Sequence, residues 1–192
     1  MLVQSVINSF GSTAIAGYSA GMRIESLSIV PMLAMGNAMS TFTAQNMGAG
    51  KIDRVKEGYR MCYVIVLTAG AVLCVMYQLA GGAFVSLFLD SGSSEAYSVG
   101  LSYVKFLSFF YSFIGLKAST DGLLRGAGDV TAFTVANLVN LAIRVSVTNL
   151  FAPVYGIQVA WMAVPLGWAA NYVISFGWYL TGKWKKVRVI KK

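Results

Sequence analysis

Between Ser26 and Gly50, and again between Met61 and Leu89, the chain carries no charged residue. Each run exceeds the roughly 20 apolar residues that cross a hydrocarbon core at about 1.5 Å per residue. A water-soluble core built from 192 residues cannot hide two such segments. They meet at Gln45-Asn46-Met47-Gly48-Ala49-Gly50-Lys51, with Arg54, Lys56 and Arg60 close behind. Glycine lets the backbone turn left-handed where a helix stops. The cations after it mark a loop held on the positive side of a membrane. Arg125-Gly126-Ala127-Gly128-Asp129 makes the same kind of stop between two later apolar runs. The pattern predicts an all-α, polytopic membrane protein.

Composition agrees. Charged residues are 11% of the chain and hydrophobic ones 57%, against roughly 25% charged in soluble domains. The net charge of +8 does not point to nucleic acid, because of where it sits. Lys183, Lys185, Lys186, Arg188, Lys191 and Lys192 crowd the last ten residues without an acid. Such a juxtamembrane tail meets anionic lipid at about 1 kcal/mol per cation. Residues 1–182 therefore read as one transmembrane helical lobe and 183–192 as a basic cytoplasmic tail. With no histidine and no Cys-x-x-Cys, neither a metal site nor a cofactor is expected. No arrangement resembles a catalytic set, so the chain reads as a non-enzyme. Cys62 and Cys74 lie about 18 Å apart along one run, beyond disulfide reach, and are expected to be packed thiols.

Five spans are predicted, at about 13–47, 55–89, 96–124, 130–152 and 157–181. Residues Met1 to Phe10 rise only about 15 Å as a helix and read as the end of a sixth whose beginning is missing. Pro31 removes a backbone donor and predicts a kink in the first span. Gly17-x-x-x-Gly21 gives the same span a flat strip for close packing. Gly81-Gly82 predicts a break in the second span, and Pro153 the end of the fourth. Asp90-Ser91-Gly92-Ser93-Ser94-Glu95 is a polar turn without a base.

Topology follows from the cations. Residues 51–60, 117–129 and the tail together carry twelve of the fifteen, whereas 90–95 and 153–156 carry none. The positive-inside rule then predicts both Gly-Ala-Gly turns and the C-terminus in the cytoplasm, with the chain in the cell membrane.

Polar residues inside the spans are the candidates for function. Asn137, Asn140 and Arg144 fall at i, i+3 and i+7 on one face of the fourth span. Ser112 lies on a small-residue stripe of the third span with Tyr111 beside it, and Asn171 and Ser175 stand one turn apart on the fifth. Tyr111, Ser112, Asn137, Asn140, Arg144 and Asn171 are the candidates for a substrate or ion cavity. Taken singly, each stripe is explained as well by helix-to-helix hydrogen bonds of about 0.6 kcal/mol. Arg144 tips the balance, since an unpaired cation there is hard to tolerate. Lys105 and Lys117 can snorkel along their helices, and Lys117 is spaced to pair with Asp121. Arg23 and Glu25, two apart near the outer end of the first span, point to different faces.

These residues, in order, resemble the C-terminal half of a multidrug and toxic compound extrusion (MATE) transporter. The resemblance rests on Asn8-x-Phe-Gly11, Ala14 to Tyr18, Arg23-Ile24-Glu25, Pro31, Gln45-Asn46-x-Gly48-Ala49-Gly50-Lys51 with Arg54, and Leu124-Arg125-Gly126-Ala127-Gly128-Asp129. Arg144, Val164-Pro165-Leu166-Gly167-Trp168 and Gly182-Lys183-Trp184 extend it over essentially the whole chain. It implies one lobe of a two-lobe, twelve-helix protein, beginning late in the seventh helix and holding helices eight to twelve. It further implies export of drugs or other organic cations in exchange for Na⁺ or H⁺, with a missing N-terminal lobe or a second copy as partner. Two departures stand out. The acid that some members carry on the seventh helix would precede Met1, and the aspartate they carry on the tenth aligns near Ile114, which is apolar. Two other readings share these helices: a lipid-linked oligosaccharide flippase of the same superfamily, and a truncated fragment that does not transport.

Overall fold

The computed structural model describes residues 6, 7, 9–90 and 94–186. Six helices follow one another: α1 Ser12–Gly48, α2 Ile52–Ser86, α3 Ser94–Ser108, α4 Tyr111–Gly126, α5 Val130–Tyr155 and α6 Gln158–Leu180, then a 3₁₀ turn at Lys183–Lys186. All regular structure among the described residues is helical. In a bilayer each span must satisfy its own backbone polar groups, and the helix does so within one segment. α1, α2, α5 and α6 are each long and apolar enough to cross a membrane, and the pair Glu95–Ser108 plus Tyr111–Gly126 meets the same test as one bent span. The expected half-span at Met1 to Phe10, the turn at 90–95 and the tail at 183–192 fall largely outside the described residues.

The two Gly-Ala-Gly stops are the same object. At the first, Gly50 N–H donates to Met47 O (3.0 Å) and Lys51 N–H to Asn46 O (2.8 Å). At the second, Gly128 N–H donates to Arg125 O (3.0 Å) and Asp129 N–H to Leu124 O (2.9 Å). Gly50 and Gly128 hold φ at 69° and 84°, where a Cβ is disfavoured. Both are Schellman stops, which satisfy the carbonyls that a helix end leaves free.

α1 is the hub. It packs most extensively on α4, then on α3 and α2, while α5 and α6 form a hairpin joined to the rest mainly through α6 and α4. Small residues set the α1–α4 crossing. Gly122 lies against the backbone of Gly36, Gly36 against that of Ala118, and Gly126 against that of Ser40. Without hydrophobic drive between helices in lipid, such backbone contact is what holds them. Gly17 and Gly21 do the same for α3, receiving Val99 and the ring of Tyr103.

Three expected boundaries are corrected. The third span is two helices bent by 52°, with the break at Ser108–Tyr111. No proline or glycine lies at the break. Phe110 N–H tightens to Leu107 O (2.8 Å), and Gln78 of α2 donates its amide to Lys105 O and Ser108 Oγ, both at 2.9 Å. A side chain from another helix replaces the lost backbone partner. α2 runs through Gly81-Gly82 to Ser86 without the expected break. Those glycines instead make room for Leu101 and Tyr97 of α3. α5 continues through Pro153 to Tyr155 and stops at Gly156, whose φ is 90°. Pro31 lies inside the single helix assigned to α1, with its ring exposed.

Candidate functional site

Polar residues of the last three helices meet at Asp121, for which the i, i+4 spacing indicates only an ion pair with Lys117. Asp121 of α4 is buried, and its carboxylate is the centre of the seam between α4, α5 and α6. Ser175 Oγ of α6 donates to Oδ1 at 2.6 Å. Lys117 Nζ, one turn earlier on α4, donates to Oδ2 at 3.1 Å. Asn137 Nδ2 of α5 reaches the same oxygen at 3.3 Å, and its carbonyl accepts from Lys117 Nζ at 3.1 Å. Four side chains on three helices thus close a charge-balanced knot. A buried ion pair needs such supplementary hydrogen bonds, since its desolvation cost otherwise exceeds the Coulomb gain.

One turn along α5, the order loosens. Asn140 and Arg144 both lie against Gly167 of α6, where a Cβ would collide with Asn140 Oδ1 and the Arg144 stem. Gly167 therefore seats the two polar side chains. Asn140 Oδ1 and the Nδ2 of fully buried Asn171 have no hydrogen-bond partner among the described residues. An unmet acceptor and an unmet donor sit one turn apart on this seam, which is the character of a polar site and not of a closed core. Half-buried Arg144 likewise has no hydrogen-bond partner among them.

The six cavity candidates divide in two. Asn137, Asn140, Arg144 and Asn171 share the α4–α5–α6 seam. Tyr111 and Ser112 pack against α2 instead. Tyr111 is fully buried with its ring 5.9 Å from that of Tyr77, and Ser112 rests on Gly70 of α2. An apolar cavity of about 360 Å³ opens beside the helix break, lined by Phe106, Phe110, Phe113, Met162, Pro165 and Leu166.

The residues of the two stops have separate structural duties. Asn46 Nδ2 donates to Phe42 O at 2.8 Å within α1, while Gln45, Gly48 and Arg54 are exposed. Arg125 Nη2 crosses to Asn37 Oδ1 of α1 at 2.8 Å, and its guanidinium lies over Phe133. Asp129 caps α5 and accepts from Trp178 of α6 at 2.6 Å. Close to this end, Thr120 accepts or donates to Tyr59 (2.7 Å) and Tyr63 (2.9 Å) of α2. Lys183 stacks over Trp178 at 5.0 Å, and Trp184 is buried with its indole N–H on Tyr179 O (3.0 Å). The first turns of α2, the second stop and the end of α6 thus share one end of the bundle, where the cations gather.

A second buried carboxylate is Glu25, which sequence spacing places only near the outer end of the first span. Glu25 accepts a hydrogen bond from the hydroxyl of Tyr103 on α3. The signal was Gly21-x-x-x-Glu25: the glycine opens space for the Tyr103 ring one turn before the acid that it meets.

Comparison with known proteins agrees with this architecture. The MatE family profile matches residues 1–151. The chain is 29% identical over 190 residues to the "Probable multidrug resistance protein YpnP" of Bacillus subtilis, covering 98% of this chain and 42% of that protein. It is 24% identical over 192 residues to "Probable multidrug resistance protein YoeA" of the same organism, covering 98% and 41%. A solved inward-facing MATE transporter of the MOP superfamily superposes with a TM-score of 0.83 at 17% identity, over 92% of this chain and 40% of that one. The chain thus spans about two fifths of the proteins it matches. With its helices arranged as one lobe of that fold, the chain belongs to the MatE family of multidrug and toxic compound extrusion transporters.

Proposed function

We propose that this lobe acts in a MATE-type efflux transporter that exports drugs or other organic cations across the cytoplasmic membrane, driven by Na⁺ or H⁺ exchange. The observation that carries the reading is the α4–α5–α6 seam, with unmet amide groups at Asn140 and Asn171 beside Arg144. Polar groups are kept inside a membrane protein at a cost and by default serve the transported species. The Phe- and Met-lined cavity at the helix break suits loosely selective contact with aromatic drugs. A site between two lobes needs both, so the partner is an N-terminal lobe or a second copy of this chain.

Efflux of a fluorescent organic cation from proteoliposomes tests the reading, with this chain alone, with an N-terminal lobe added, and with a Na⁺ or proton gradient imposed. Efflux that needs the added lobe and the gradient is the expected result. Efflux by the lone chain would show that a second copy completes the cavity, and no efflux in any arm overturns the reading. In the active pairing, Arg144→Ala is expected to reduce export while the protein still accumulates in the membrane. Loss of accumulation alone would make Arg144 structural.

A further inference from the structure

A cavity of about 420 Å³ opens away from the α4–α5–α6 seam, at the end of the bundle where the cations gather. Asp53, Lys56, Glu57 and Arg60 of α2 line it, with Tyr179 of α6. The four charged residues recur at i, i+3, i+4 and i+7, which puts them on one face of α2. Their two acids and two bases balance. One acid and one base are used within the chain, since Lys56 Nζ donates to Asp53 Oδ1 at 2.7 Å. Glu57 and Arg60 stand at the same three-residue spacing, yet neither makes a hydrogen bond or an ion pair among the described residues. An unmet acid and an unmet base therefore line one cavity. Aromatic rings continue it towards the middle of α6. Tyr179 stacks on Phe176 at 5.9 Å and Phe176 on Tyr172 at 5.4 Å, all three half-buried. From α2, Tyr59 meets Tyr179 at 4.6 Å and Tyr63 meets Tyr172 at 6.4 Å.

We infer that this cavity holds the head group of an aminophospholipid from the leaflet at that end of the bundle. The balance of charge decides the class. A lone phosphate or a purely anionic lipid leaves Glu57 facing like charge, and a simple cation leaves Arg60 unanswered. A head group with a phosphate and a primary ammonium answers both. The Arg60 guanidinium takes phosphate oxygens with its fork of donors. The ammonium donates to Glu57 and is drawn to the face of the Tyr179 ring. The row of half-buried rings from Tyr179 to Tyr172 then gives the acyl chains an apolar surface, which a soluble phosphoamine would not use. Bound in this way, the lipid bridges α2 and α6 and stabilises the lobe by mass action. The site does not rest on the transport reading.

The test uses the whole chain in detergent, titrated with short-chain lipids, with binding read by native mass spectrometry and by the shift in thermal unfolding. Dioctanoyl phosphatidylethanolamine is expected to bind roughly tenfold more tightly than dioctanoyl phosphatidylglycerol, which has the phosphate without the ammonium. Glu57→Gln should weaken phosphatidylethanolamine by roughly that factor and leave phosphatidylglycerol no weaker. Arg60→Gln should weaken both lipids. Both side chains are exposed, so neither change threatens the fold. Arg54→Gln removes an exposed cation of the same helix end that does not line the cavity, and should alter neither lipid. Phosphatidylglycerol binding as tightly as phosphatidylethanolamine, or equal losses in Arg54→Gln and Arg60→Gln, would reveal a diffuse basic surface and overturn the inference. Unchanged phosphatidylethanolamine binding in Glu57→Gln overturns it as well. So does equal competition by glycerophosphoethanolamine, which lacks the chains, because the ligand would then be soluble.

Discussion

Trp178, in the last turn of α6, donates its indole N–H to Asp129 Oδ2 at 2.6 Å, while Oδ1 of the same carboxylate accepts the Ala132 N–H at 3.4 Å to cap α5. One side chain therefore fixes both ends of the α5–α6 hairpin at the second Gly-Ala-Gly stop. It also explains why an acid follows that stop where a lysine follows the first. Asp129→Ala should cost about 1 kcal/mol for the cap and about 1.5–3 kcal/mol for the charged hydrogen bond. Asp129→Asn keeps one of the two acceptor oxygens and should lose less. Thermal unfolding of the detergent-solubilised protein measures it, and equal loss in both variants would contradict the assignment.

The Lys117–Asp121 pair makes a sharper prediction because Asp121 is buried and Lys117 largely so, at 6% and 14% side-chain exposure. Removing either partner strands the other, at about 3–5 kcal/mol. Lys117→Met and Asp121→Leu should each lower stability by that order. The double variant should be markedly less damaged than the two single losses added together. Additivity in this double-mutant cycle would show that the pair is not coupled.

Hydropathy and the two glycine stops made the helical lobe legible because bilayer thickness leaves a spanning chain few options. Where reading by residue type failed, distant groups had decided the outcome. Nothing near Ser108 marks a break, since the amide that stabilises it comes from Gln78, thirty residues away. Pro153 and Gly81-Gly82 suggested stops, but α2 packs Leu101 and Tyr97 of α3 against its glycines and α5 runs on through the proline to Gly156. The seam was partly visible, with Asn137, Asn140 and Arg144 aligned by helical period on one span and Asn171 and Ser175 one turn apart on the next. Its centre was not: Asp121 reaches Ser175 across 54 residues, and no local spacing encodes that contact.

Orientation rests on the clustering of cations at the end of the bundle that holds the first turns of α2, the second stop and Lys183–Lys186. A reporter after Lys192 and a tag between Gly50 and Lys51 should both lie in the cytoplasm. A tag within residues 91–94 should be reached from outside the cell. Labelling with a membrane-impermeant reagent decides it, and outside labelling of the tag at Gly50 would reverse the assignment.

The bend between α3 and α4 supplies the last prediction. A helix broken inside a membrane frees backbone carbonyls that lipid cannot satisfy, at several kcal/mol each. Here Lys105 O keeps two partners, Gln78 Nε2 at 2.9 Å and Ser108 Oγ at 2.7 Å. Gln78 also donates to Ser108 Oγ, so one amide holds the carbonyl and positions the hydroxyl that shares it. Gln78→Leu keeps much of the side-chain volume and removes the donor. It should cost about 0.5–1.5 kcal/mol for the lost hydrogen bond, since Lys105 O still accepts from Ser108 Oγ. Gln78→Glu cannot donate when ionised and should resemble Gln78→Leu at neutral pH. Amide hydrogen exchange across 105–113 reports on the break directly. Faster exchange there in Gln78→Leu, with α2 unchanged, is the expected result. Exchange that matches the parent protein would mean that the bend is held by packing of Phe106, Phe110 and Phe113 and not by Gln78.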